Sequence, residues 1–135
     1  MSSRISSLLA SLALLLSFNA AAQARFETPD AALAHYIKAV NEHSLSGINA
    51  TFLEPVTAFN FTSPRPIESF TVVKRIPYTE KHVREWKRQG IGPVAVGDVE
   101  LHVREIIGGR PYMFSYNFRN TSAGWKITTF GAWDE

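Results

Sequence analysis

The sequence predicts an α+β domain in which an antiparallel sheet follows amphipathic helices, and three observations predict it. Leu33, Tyr36, Ile37 and Val40 recur at helical spacing on one face of an early segment. Gly108-Gly109 stands between two alternating runs, the pattern of a two-residue hairpin in which both turn positions need positive φ. A second polar turn, Asn120 to Ala123, leads into a third run, and pairing across either turn collects apolar side chains on the same face.

The first 24 residues read as an address. A short polar start with Arg4 precedes an apolar run from Leu8 to Phe18, broken only by Ser11 and Ser17. Ala22-Gln23-Ala24 then supplies the small-residue pattern that a signal peptidase cuts. The run is shorter than the roughly 20 apolar residues of a spanning helix. The expectation is a signal peptide over 1–24, a mature chain beginning at Arg25, a periplasmic or secreted protein, and no membrane span after cleavage.

Cleavage there leaves 111 of the 135 residues, enough for a single α+β domain over 25–135 and too few for two. Losing Arg4 leaves 13 Lys and Arg against 12 Asp and Glu, so no charge excess argues for nucleic acid. Cysteine is absent, which excludes thiol chemistry and leaves stability to the core. His35, His43, His82 and His102 show no metal-ligand spacing, and no Gly-x-Ser-x-Gly elbow occurs. Neither a metal nor a cofactor is expected.

Thr28-Pro29-Asp30 is a helix start: Thr28 caps, Pro29 suits the first position, and Asp30 places negative charge in the first turn. This helix should end near His43. Ile48 to Leu53 predicts a second short helix that stops before Pro55. Val56 to Phe61 and Phe70 to Ile76 read as strands separated by a Pro-rich turn. Thr79 caps a charged helix that runs through Gln89 to Gly90.

The Gly108-Gly109 turn fixes a register in which Ile107 faces Arg110, Glu105 faces Tyr112, Val103 faces Phe114, Leu101 faces Tyr116 and Val99 faces Phe118. A four-residue loop over Asn120–Ala123 would then oppose Phe118 to Trp125, Tyr116 to Ile127, Phe114 to Thr129 and Tyr112 to Gly131. The other face is polar, with Met113 and Phe130 as apolar exceptions.

Two helices, a strand pair, a third helix and a long meander closing on Gly124-Trp125-Lys126-Ile127 resemble the NTF2-like (SnoaL-like) superfamily over Phe26 to Trp133. The resemblance implies a cone: a curved antiparallel sheet wrapped around the N-terminal helices, with the wide mouth as the usual ligand or active site. It implies no single activity. Catalytic members usually pair an Asp or His with a Tyr or a second acid, and no such pairing is matched here.

Glu105 is the first candidate, because it interrupts an apolar face with Tyr112 opposite and Gly131 beyond. A carboxyl in an apolar pocket titrates high and suits general acid or base work; the alternative is a solvated carboxylate near a hairpin tip. Tyr36, Tyr112, Tyr116, Thr129 and Trp133 are candidate ligand contacts at the mouth, against the alternative that the aromatic stripe is core. Met113 and Phe130 are expected to join in a homodimer contact.

Two functions follow. One is an exported accessory domain without catalysis that binds a small apolar ligand or a protein. The other is a small-molecule isomerase, cyclase or dehydratase, with Glu105 as proton shuttle and Tyr112 as donor to a developing oxyanion.

Overall fold

The computed structural model describes residues 25–57 and 65–132. The signal peptide expected over 1–24, most of the strand expected over Val56–Phe61, and Trp133 lie outside the described residues. Four antiparallel strands form one curved sheet in sequence order, and the class is α+β.

Helix α1 (Pro29–Asn41) begins where Thr28 Oγ1 accepts the Ala31 N–H at 3.0 Å. Its buried side, Ala32, Leu33, Tyr36, Ile37 and Ala39, faces the sheet and forms the core with Leu101, Val103, Tyr116, Phe118 and Ile127. The chain turns at His43, which takes a φ of 53°, and Ser44 caps α2 (Leu45–Asn49) through a 3.0 Å bond from the Gly47 N–H. The second helix thus starts earlier than Ile48 and does not reach Leu53, because Ser44 supplies a cap that the apolar spacing does not reveal. Phe52 and Leu53 instead run beside the last strand, where the Leu53 N–H donates to the Ile127 carbonyl at 2.9 Å. Val56 is not in a strand: its N–H and carbonyl are both taken by the Asn49 side-chain amide, at 2.6 and 3.1 Å.

Strand β1 (Ile67–Pro77) is longer than the expected Phe70–Ile76 and forms one edge of the sheet. The Asn41 amide bonds the N–H and carbonyl of Ile67 and so ties its start to α1. Helix α3 (Glu80–Arg88) has Thr79 as its cap, as the sequence predicts. No α3 residue is fully buried, and the buried Tyr78 before it anchors the segment. Among the described residues no helix is long and apolar enough to cross a membrane.

Strands β2 (Val99–Ile107) and β3 (Arg110–Thr121) pair in the register predicted from Gly108-Gly109, from Ile107 opposite Arg110 to Val99 opposite Phe118. Both glycines have positive φ, 60° and 75°. The next turn corrects the prediction. It is the two-residue Ser122-Ala123, closed by Thr121 Oγ1, which accepts the Ala123 N–H at 3.1 Å and donates to the Gly124 carbonyl at 2.7 Å.

Strand β4 (Gly124–Ala132) is therefore displaced by two residues, Phe118 facing Ile127 in place of Trp125. A bulge then reverses the alternation, since Asn117 pairs with Thr129 and Tyr116 with Phe130. Thr129 and Gly131 consequently lie on the outer face, and Phe130 lies on the helix-facing side. Met113, opposite Arg104, keeps its place on the outer face. Met113 and Phe130 do not share a face, so the dimer patch expected from them is not formed.

Gly124 is where the segment before α1 meets the β4 edge of the sheet, through a bridge to Phe26. Its φ is 94°, and a Cβ would lie 2.7 Å from the Phe26 carbonyl oxygen and 2.8 Å from its nitrogen. Gly124→Ala should cost about 2 kcal/mol or more through strain and backbone displacement. Gly131→Ala meets nothing within 4 Å and should stay within about 0.5 kcal/mol of the parent. Urea denaturation of the two variants checks the contrast; equal stability would contradict the close approach of Phe26 to Gly124.

Candidate functional site

Alternation along β2 points Leu101, Val103 and Glu105 at α1. The first two positions suit apolar residues. Glu105 does not, yet it is 1% exposed, so the reading of a solvated hairpin-tip carboxylate is overturned. Its partner is also not the expected one. Tyr112 stands directly opposite in the register but is 45% exposed, whereas the Tyr116 hydroxyl donates to Glu105 Oε2 at 2.6 Å. Tyr116 is paired with Leu101, and its ring lies along the sheet to bridge the intervening Val103–Phe114 pair.

Rings enclose this bond. The Tyr36 ring lies 5.6 Å from Tyr116, edge to face, while Phe130 stacks on Tyr116 at 5.8 Å and 13°. Phe52 meets both Tyr36 and Phe130 at 5.8 Å, and Phe114 and Phe118 flank Tyr116 at 6.4 Å. Such pairs add specific attraction to the area they bury. The enclosure is incomplete, because Phe130, stacked on Tyr116, is 42% exposed.

The electrostatics follow from burial. Desolvation pushes the Glu105 carboxyl above the ordinary carboxylate range, and the bond from Tyr116 pulls it back by less. Tyr116 is driven far up, by burial first and then by the negative charge of Glu105, with Tyr36 adding to it. Tyr36 is raised for the same two leading reasons. Both tyrosines are thus held as hydrogen-bond donors, and Glu105 is the member that titrates.

Of the other expected contacts, Thr129 faces outward opposite Asn117, turned away from the site by the β4 bulge. Gly131, expected to leave room before Glu105, is outward as well, opposite Ser115. Phe52 was not a sequence candidate: it joins the rings only because residues 51–53 run along β4. Nor was Asp98, a buried carboxylate that accepts two 3.0 Å bonds from Arg119, one from Asn117, and one from the Ala95 N–H. That network fixes the connection before β2 on the outer face, and in the sequence Asp98 resembles any loop acid. Among the described residues no group of three or more His, Asp or Glu could hold a metal ion.

No family model, curated protein or solved structure matches the chain.

Because Glu105 titrates higher folded than unfolded, the stability it confers is complete below the unfolded value near about 4.3 and is lost as pH rises through the folded value. Tyr116→Phe removes the donor and leaves the carboxylate alone among the rings. It should cost about 1–3 kcal/mol near neutral pH, and distinctly less in mild acid, where Glu105 is protonated. Thermal melts of parent and variant across that range check this; a pH-independent loss would show that Tyr116 only fills space.

Proposed function

We propose that the chain is an exported domain of the NTF2-like (SnoaL-like) kind that binds a small, largely apolar molecule at the mouth between sheet and helices, without transforming it. The export segment supports a periplasmic or secreted location. The order of helices and antiparallel strands supports the superfamily reading, with α1 laid against a curved sheet. The observation that carries the binding reading is the buried Tyr116–Glu105 bond with half-exposed Phe130 stacked on the Tyr116 ring. Small-molecule sites combine aromatic walls with few polar groups in this manner. A carboxyl that is readily neutral can both donate to and accept from one polar group of a ligand.

A second reading is favoured by one observation. A carboxyl raised by burial beside a tyrosine donor in a dry site suits proton transfer at a carbon next to a carbonyl. In that case Glu105 is the shuttle and Tyr116, in place of Tyr112, is the donor to the oxyanion. Against it, Tyr116 already occupies one carboxylate oxygen, and neither tyrosine of the cluster ionises readily enough to act as a second acid or base.

The neutral fluorophore N-phenyl-1-naphthylamine tests the binding reading on the mature protein. Saturable fluorescence enhancement is expected, weakened at least about fivefold by Phe130→Ser, since apolar contact supplies most of such affinity, and retained in Glu105→Gln. No saturable signal, or one indifferent to Phe130, would overturn it. Glu105-dependent deuterium incorporation beside the carbonyl of a cyclic enone in heavy water would replace it with the catalytic reading.

A further inference from the structure

The outer sheet face carries a cavity in which the Glu105–Tyr116 pair takes no part. A groove of about 460 Å³ lies between that face and the segment from Tyr78 to Val94, in the size range of small-molecule sites. Glu100, Asn117 and Thr129 lie on its floor, and Tyr78, Trp86 and Ile91 form its wall. The Tyr78 and Trp86 rings are stacked, with centroids 6.5 Å apart and planes 27° apart. Burial, followed by the nearby Glu100 charge, pushes the Tyr78 hydroxyl up to about 12, so it keeps its proton beside that carboxylate. The Glu100 side chain keeps 17% of its surface, which is enough for a ligand to touch.

The polar groups here are one-sided. Both N–H groups of Asn117 are spent, on Asp98 at 3.0 Å and Thr128 at 2.8 Å. Its Oδ1 is buried and has no partner among the described residues. Arg119, on the same face, is committed to Asp98 by two bonds, and His102 Nε2 lies 3.5 Å from Glu100. Among the described residues no Lys or Arg lines the groove. What the groove offers a ligand is the Glu100 carboxylate, the Ser115 and Thr129 hydroxyls and the Trp86 ring.

We propose that this groove binds a small organic ammonium ion, its charge held by Glu100 and by the face of the partly exposed Trp86 ring. An ammonium supplies further N–H donors to the solvent-reaching Glu100 carboxylate, and the negative face of an aromatic ring attracts it. A neutral alcohol of the same shape gains the hydrogen bonds without that attraction, and an anion is repelled by Glu100. The site lies on the opposite face from Glu105 and stands whether or not the interior mouth binds anything.

Benzylammonium and benzyl alcohol, titrated into the ¹⁵N-labelled mature protein and followed by NMR, test the proposal. Saturable shifts are expected at the Trp86 indole and at the Ile91, Gly92 and Val94 amides. Benzylammonium should bind at least about tenfold tighter than the alcohol, and Glu100→Gln should bring the two within about twofold. Trp86 is only partly buried on a helix with no fully buried residue, so Trp86→Leu provides a variant that keeps the fold should Glu100→Gln lose it. It should weaken benzylammonium at least about fivefold. Equal affinity for the two probes, selectivity that survives Glu100→Gln, indifference to Trp86→Leu, or no shift with either probe would overturn the proposal.

Discussion

The pairing of β2 with β3 is the constraint from which the rest of the molecule follows. Gly108 and Gly109 take the positive φ values that a tight hairpin needs, and with the turn fixed, every side chain of both strands is assigned to a face. Leu101, Val103, Tyr116 and Phe118 are thereby turned onto α1 as core. The same alternation turns Glu105 inward with no choice in the matter. A slip of one residue would bring Arg104 and His102 into the core and expel the apolar set. The acid in the interior is thus a consequence of the register that makes the interior, and its cost is borne by a core it cannot leave.

A lone carboxylate in such a place is expensive, and the surrounding side chains reduce the expense in two ways. Tyr116 donates a short hydrogen bond, which stabilises the charged form. Burial among rings shifts the balance toward the neutral acid. The two effects oppose each other, and desolvation is the larger. Because Tyr36 and Tyr116 both resist ionising beside Glu105, a single proton on the carboxyl governs the polarity of the cluster. The Asp98–Arg119 pair on the other face differs: its charges are matched by two hydrogen bonds, and it serves to hold the chain before β2.

Much of the backbone was legible in the sequence because local chemistry dictated it. Thr28 and Thr79 are caps, Gly90 follows α3, and Gly108-Gly109 admits few other readings. The candidate acid was legible too, as a break in an alternating apolar run. Its partner was not, because a register names the residue opposite and a tyrosine ring reaches past its neighbour to another. β4 was misplaced for two reasons. Ser122-Ala123 carries no glycine to mark a two-residue turn, and the bulge beyond Ile127 falls in Thr128-Thr129, which reads as an ordinary strand. That bulge alone exchanged the roles of Phe130 and Thr129. Phe52 entered the site through a segment whose backbone bonds run to Ile127, a partner far away in sequence.

Glu105 is a desolvated carboxyl that accepts a hydrogen bond from the Tyr116 hydroxyl and alone in the cluster titrates. The most direct measurement is an NMR titration of the Glu105 side-chain carboxyl carbon in the mature protein, with the Tyr116 ring resonances followed in parallel. The account predicts a midpoint clearly above the ordinary value of about 4.3, with the Tyr116 ring shifting at the same midpoint. A midpoint at or below that value, or a Tyr116 ring indifferent to it, would contradict the account.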